Sequence, residues 1–98
     1  MDYQKFKQKI ICVDIDGTLC EGDAWTEEDC LKAIPIKKNI EKVNQMYQYG
    51  FVIMYTARRE ELIAATLQWL RENGVRYHAI SVRKIPTDYY FDDKAAKL

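Results

Sequence analysis

Apolar residues fall along this chain in two kinds of pattern. Short unbroken runs, Ile10 to Val13 and Phe51 to Tyr55, are rich in β-branched and aromatic side chains and predict strands buried on both faces. Elsewhere the spacing becomes helical. Ile36, Ile40, Val43 and Tyr47 recur at intervals of four, three and four behind Pro35, and Gly50 closes the stretch. Leu62, Ile63, Leu67 and Leu70 repeat this pattern between Glu60 and Asn73, where Glu60 and Glu61 suit the N-terminal dipole and Gly74 ends the helix. Tyr77 to Val82 predicts a third strand and Tyr89 to Phe91 a short fourth one ending at Asp92 and Asp93, with the start of a helix over Asp93 to Leu98. Leu19 to Ile34 keeps no period. It carries Gly22, Trp25 and five acidic residues, which predicts a loop or small hairpin, and long loops in compact domains are usually functional.

Strands separated by helical crossovers imply a parallel sheet with right-handed connections and helices on its faces, so the predicted fold class is α/β. The 98 residues suffice for one core and therefore one domain over 1–98. With 48% hydrophobic and 31% charged residues the composition is that of a folded globule. Fifteen Lys plus Arg offset fifteen Asp plus Glu, which disfavours nucleic acid or an anionic membrane as a scaffold. No apolar run approaches the roughly twenty residues of a membrane span. The polar, basic Met1 to Lys9 lacks the apolar stretch of a signal peptide, and Cys12, Cys20 and Cys30 form no CxxC pair, so a cytoplasmic protein with reduced, packing thiols is expected.

Ligands of such sheets bind outside the carboxyl ends of the strands. The residues there are Asp14, Asp16, Thr56, Arg58, Lys84, Asp92 and Asp93. A buried strand has no use for the two carboxylates of Asp14-Ile15-Asp16-Gly17-Thr18. Several carboxylates at one rim repel one another unless a cation neutralises them, and oxygen-rich sites suit a hard ion such as Mg2+. Asp14, Asp16, Asp92 and Asp93 form the candidate metal site.

The motif at the end of the first strand resembles the DxDGT signature of the haloacid dehalogenase (HAD) superfamily of phosphohydrolases. Thr56 in Met54-Tyr55-Thr56-Ala57-Arg58 is similar to the family's second motif, and Lys84 followed by Asp92-Asp93 to its third and fourth. The likeness runs from about Ile10 to Ala95. The small size and the Asp-Tyr-Tyr-Phe-Asp-Asp-Lys-Ala ending look most like the short capsular-polysaccharide biosynthesis phosphatases. The resemblance implies a Rossmann-like three-layer sandwich with a mostly parallel sheet, a minimal HAD core without a cap domain, since Leu19 to Tyr55 and Ala57 to Arg83 are each filled by a loop, a helix and a strand. It also implies that Asp14 and Asp92, with Asp93 and the main-chain carbonyl of Asp16, hold Mg2+.

Phosphate-ester chemistry gives these residues roles. Asp14 attacks phosphorus to form an aspartyl-phosphate, and Asp16 protonates the leaving oxygen and then deprotonates the incoming water. Thr56 donates its hydroxyl to a phosphoryl oxygen, and Lys84 holds both nucleophile and phosphate. An acid at Asp16 favours oxygen leaving groups over halide. Thr18, Arg58 and Trp25 are candidate substrate-binding residues, the last on a flap formed by Leu19 to Ile34. The expected substrate is a phosphorylated small molecule, such as a sugar phosphate or capsule-pathway intermediate.

Other readings meet specific residues. A phospho-acceptor receiver needs an Asp after its third strand, yet none lies between Asp29 and Asp88; a Ca2+ loop starting at Asp14 wants Gly and Glu where Leu19 and Trp25 stand. A phosphotransferase or nucleotidase of the same fold, or a non-catalytic HAD-like binding module, stays open. An exposed sheet edge favours homo-oligomers. His78 is expected to pack in the core or at an edge, Tyr89, Tyr90 and Phe91 to pack the fourth strand, and Arg59 to be solvated.

Overall fold

In the computed structural model, which describes residues 2–92 and 98, the two apolar runs form strands β1 (Ile10–Asp14) and β2 (Phe51–Tyr55). They pair in parallel and in full register from Ile10 opposite Phe51 to Asp14 opposite Tyr55. Helix α2 (Lys37–Tyr47) crosses between them, preceded by a short helix α1 (Glu27–Lys32). After β2 a 3-10 turn at Glu60–Leu62 leads into α3 (Ile63–Glu72), then β3 (Ala79–Ser81) and β4 (Tyr89–Phe91) follow. All pairings are parallel, in the order β3-β2-β1-β4. The expected α/β fold with a Rossmann-like parallel sheet is therefore present. Asp93 and the helix start expected over Asp93 to Leu98 lie, except for Leu98, outside the described residues.

Alternation along the strands decides which side chains meet the helices. The chain steps from β1 to β2 to β3 in one direction, so two right-handed crossovers bring α2 and α3 to the same face. Ile11 and Val13, Val52 and Met54, and Phe91 point to that face and pack with Ile40, Val43 and Met46 of α2 and Trp69 and Leu70 of α3 in one core. Each such buried side chain contributes about 1.5–3 kcal/mol. The opposite face carries Cys12, Ile53 and Tyr90 in one row and Asp14 and Tyr55 in the next. Cys12 and Ile53 on that face are buried as well.

Two features of the fold lie outside the predicted pattern. Leu19 to Ile34 is more than a loop, because Thr26 opens α1 with a capping box. Its hydroxyl accepts from the Asp29 N–H at 3.1 Å while the Asp29 carboxylate accepts from the Thr26 N–H at 3.2 Å. The other is a 3-10 turn at Tyr3–Phe6, which buries Phe6 edge-on against Tyr89 at 4.9 Å between ring centroids. Gly50 makes that packing fit. A Cβ there would stand 2.6 Å from the Phe6 carbonyl oxygen, 2.7 Å from Ile11 Cδ1 and 2.9 Å from the Lys9 carbonyl oxygen. Gly50→Ala is expected to lower unfolding stability by about 1–3 kcal/mol in urea titrations; an unchanged midpoint would mean the turn is not seated there.

The three thiols are free and buried. Burial, with Asp14 adding to it against an opposing Lys84, pushes Cys12 up to about 11, and burial followed by Asp16 pushes Cys20 up to about 12, so both remain protonated at neutral pH. His78, exposed in the bend just before β3 rather than within the strand, is stacked between Tyr47 at 4.3 Å and Phe51 at 4.5 Å, with Nδ1 accepting the Val52 N–H at 3.0 Å. Among the described residues no helix is long and apolar enough to cross a membrane.

Candidate active site

The sheet order brings the predicted motifs to one rim. β1 is central, flanked by β2 and β4, so Asp14 at its end has the end of β2 on one side and that of β4, with Asp92, on the other. Asp14, Asp16, Lys84 and Asp92 line one cleft of about 410 Å3. Asp23, Tyr55, Ala57 and Tyr90 complete its wall.

Lys84 is held by aromatic rings rather than by the strand it follows. Its ammonium stands 5.1 Å from the centre of Tyr90 and 5.9 Å from that of Tyr55, close enough for cation–π attraction. Burial pushes the Tyr90 hydroxyl up to about 12, and the nearby carboxylates of Asp14 and Asp92 push in the same direction. The phenol stays neutral beside both acids. The run pattern predicts Tyr55 and Tyr90 only as strand packing. Their alternation in register with Asp14 and Cys12 already puts them on the cleft side, a signal that period-two reasoning contains. Nothing in the pattern marks Asp23, which comes from the turn before α1.

Asp16 and Arg58 form the best-defined contact in the site. The guanidinium donates from Nη2 to Asp16 Oδ1 at 2.6 Å and from Nε to Oδ2 at 3.1 Å, with the Arg58 side chain only 1% exposed and that of Asp16 19%. Burial alone would lower the Arg58 pKa, but the hydrogen bonds and charge of Asp16 outweigh it and raise it. Arg58 is therefore neither a solvated arginine nor a side chain reaching out to substrate. Its guanidinium is committed behind Asp16.

Other expected contacts fall short of the cleft. Thr56 is buried, its hydroxyl accepting the Arg58 N–H at 3.0 Å, and Ala57 forms the wall in its place. Thr18 is buried too, because Gly17, with φ of 80°, turns the chain back so that the Ile15 carbonyl accepts from the N–H groups of Thr18, Leu19 and Cys20. Neither is a cleft-lining residue as expected. Trp25 lies 71% exposed at the mouth of a neighbouring cleft of about 170 Å3, which shares Asp16, Asp23, Ala57 and Arg58 with the site or its backing. Arg59, expected in solvent, is largely exposed and donates to the Trp25 carbonyl at 3.3 Å, tying the Trp25 segment to the turn after β2.

The donor set suits Mg2+ in one form only. Among the described residues no group of three or more His, Cys, Asp or Glu side chains is arranged to hold a metal. Mg2+ keeps several waters and needs only one or two carboxylates with substrate oxygens. Asp14 and Asp92 on one cleft meet that need. The Asp16 carboxylate is taken by Arg58, which leaves its main-chain oxygen, and Asp93 lies outside the described residues.

No family model matches the chain, and no curated protein matches it. A solved structure of a conserved protein coded by a locus from Bacteroides thetaiotaomicron is similar to it, with a TM-score of 0.72 and 23% sequence identity over 91% of this chain and 78% of that one. At that identity the likeness establishes the fold.

Proposed function

We propose that this chain is a HAD-type phosphomonoester hydrolase that depends on Mg2+ and acts through an aspartyl-phosphate. The observation that carries this reading is the single cleft lined by Asp14, Asp16, Lys84 and Asp92, drawn from the ends of β1 and β4 and the segment before β4. A structural role would not need four carboxylates and an ammonium around one cleft, where like charges raise the energy of the folded state.

Each residue has a task that its chemistry fits. An Asp14 carboxylate oxygen attacks phosphorus while the bond to the leaving oxygen breaks, and Asp16, having taken up a proton before the step, passes it to that oxygen. Water then gives a proton to Asp16 and attacks phosphorus, breaking the acyl-phosphate bond, releasing inorganic phosphate and restoring the Asp14 carboxylate. Lys84 offsets negative charge on the phosphoryl oxygens throughout. Mg2+, held by Asp14, Asp92 and the main-chain oxygen of Asp16, supplies further positive charge when bound. Among the described residues nothing caps the cleft, which suits a bulky or extended phosphorylated metabolite, such as a sugar phosphate or capsule-pathway intermediate.

The test is phosphate release from p-nitrophenyl phosphate, sugar phosphates and nucleoside monophosphates, with Mg2+ and then with EDTA. Release in Mg2+ that stops in EDTA is expected; no release from any ester overturns the proposal. The metal assignment has its own readout. Mg2+ at a hundred times its Kd is expected to stabilise the fold by about 2.7 kcal/mol, seen as a rise in melting temperature that Asp92→Asn diminishes.

A further inference from the structure

Asp16 has a neighbour that no simple acid–base residue requires. Arg58 grips both of its oxygens, at 2.6 and 3.1 Å. Behind it, Arg58 Nη1 donates to the Thr66 hydroxyl at 2.9 Å, and that hydroxyl donates to the Leu62 carbonyl at 2.8 Å, so the guanidinium is anchored to the first turn of α3. Thr66 is fully buried and does not line either cleft. The chain thus spends a buried charge, costly unless paired, on orienting one carboxylate.

The position of that carboxylate makes the orientation matter. Asp16 lines both the 410 Å3 cleft that holds Asp14 and Lys84 and the 170 Å3 cleft beside Trp25. A free aspartate rotates about two side-chain bonds, and a proton transfer loses its advantage when donor and acceptor are misaligned. A bidentate fork fixes both torsions; Oδ1 also accepts from the Cys20 thiol at 3.5 Å, and Oδ2 keeps a second lone pair for the proton in transit.

Resting on the hydrolase reading above, we propose that Arg58 is a positioning residue for proton transfer: through Thr66 and α3 it holds the Asp16 carboxylate where the leaving oxygen departs. Its effect therefore depends on whether the leaving group needs a proton. Nitrophenolate departs unaided, whereas a sugar or alkyl alkoxide does not.

The experiment compares kcat/KM, which reports the chain up to loss of the leaving group, for p-nitrophenyl phosphate and for an alkyl phosphate. Arg58→Gln is expected to lower the alkyl phosphate value about a hundredfold and the p-nitrophenyl value less than about fivefold. Arg58→Lys restores little, because an ammonium lacks the fork. In an Asp16→Asn background Arg58→Gln is expected to cost nothing more on the alkyl ester. Equal losses on both esters, or an added loss in the Asp16→Asn background, would overturn the proposal. Should Arg58→Gln not fold, Thr66→Val decides: it leaves the site untouched and is expected to show the same selectivity at smaller size, and no selectivity counts against the idea. Wild-type inactivity on every ester defeats the hydrolase reading itself; wild-type activity with unselective variants defeats only the role of Arg58.

Discussion

Asp14→Asn is expected to lower phosphate release by more than about a thousandfold, the scale seen when a nucleophile is removed from a catalytic group that acts as a unit. The substitution is close to isosteric. The amide oxygen of the introduced asparagine still accepts the Ile15 N–H that Asp14 Oδ1 accepts at 3.0 Å, so the turn after β1 is kept. What is lost is the anionic oxygen that the proposed mechanism uses as nucleophile and one of the two carboxylates it assigns to Mg2+. Initial rates on p-nitrophenyl phosphate in saturating Mg2+, with thermal melting as the control for folding, measure the effect. A folded Asp14→Asn protein within tenfold of wild type would show that phosphorus is attacked by something else, with water activated elsewhere in the cleft the first alternative.

Lys84→Met is expected to be the next most damaging change, reducing kcat by about 100- to 1,000-fold, as removal of a preorganised charge from developing negative charge does. Methionine keeps an unbranched stem over Tyr55 and Tyr90, so the packing changes little while the charge goes. The carboxylates of the cleft then repel the phosphoryl group with less to oppose them. Lys84→Arg is expected to recover only part of the rate, since a planar guanidinium over the two rings does not deliver the compact charge of an ammonium. Steady-state kinetics of both variants on one ester distinguish this role from packing: if both perform like wild type, Lys84 merely fills space.

Much of this arrangement is legible in the residues. The strands at Ile10 to Asp14 and Phe51 to Tyr55 are legible because buried parallel strands leave continuous apolar runs. The helices around Val43 and Leu67 are legible because one face alone meets the sheet. α1 is hidden by its polar surface: only Cys30 of its six residues is buried, and the sign of its start is the Thr26–Asp29 capping pair rather than any stripe. Phe6 is hidden among lysines, since one buried ring in a single turn makes no period. Within the site, the convergence of Asp14, Asp16, Lys84 and Asp92 follows from strand ends alone. The partnership of Asp16 with Arg58 does not, because it spans 42 residues of sequence and depends on the side-chain direction after β2. Thr18 and Thr56 show the converse, motif positions whose hydroxyls the local turns draw inward.

The place of β4 beside β1 has a consequence for when this cleft exists at all. The first three strands succeed one another across the sheet through neighbouring helices, but β4 returns to β1 from far along the chain, with the Ile10 N–H meeting the Asp88 carboxylate at 2.7 Å across 78 residues. Long-range pairings of this kind close late, after the local units have formed. On the ribosome, β1, α2 and β2 can assemble while Asp92 is still unsynthesised, so a nascent chain carries Asp14 long before it carries the acid opposite it. Fraying of that three-residue strand from a matured molecule likewise dismantles the cleft without melting the body that supports it.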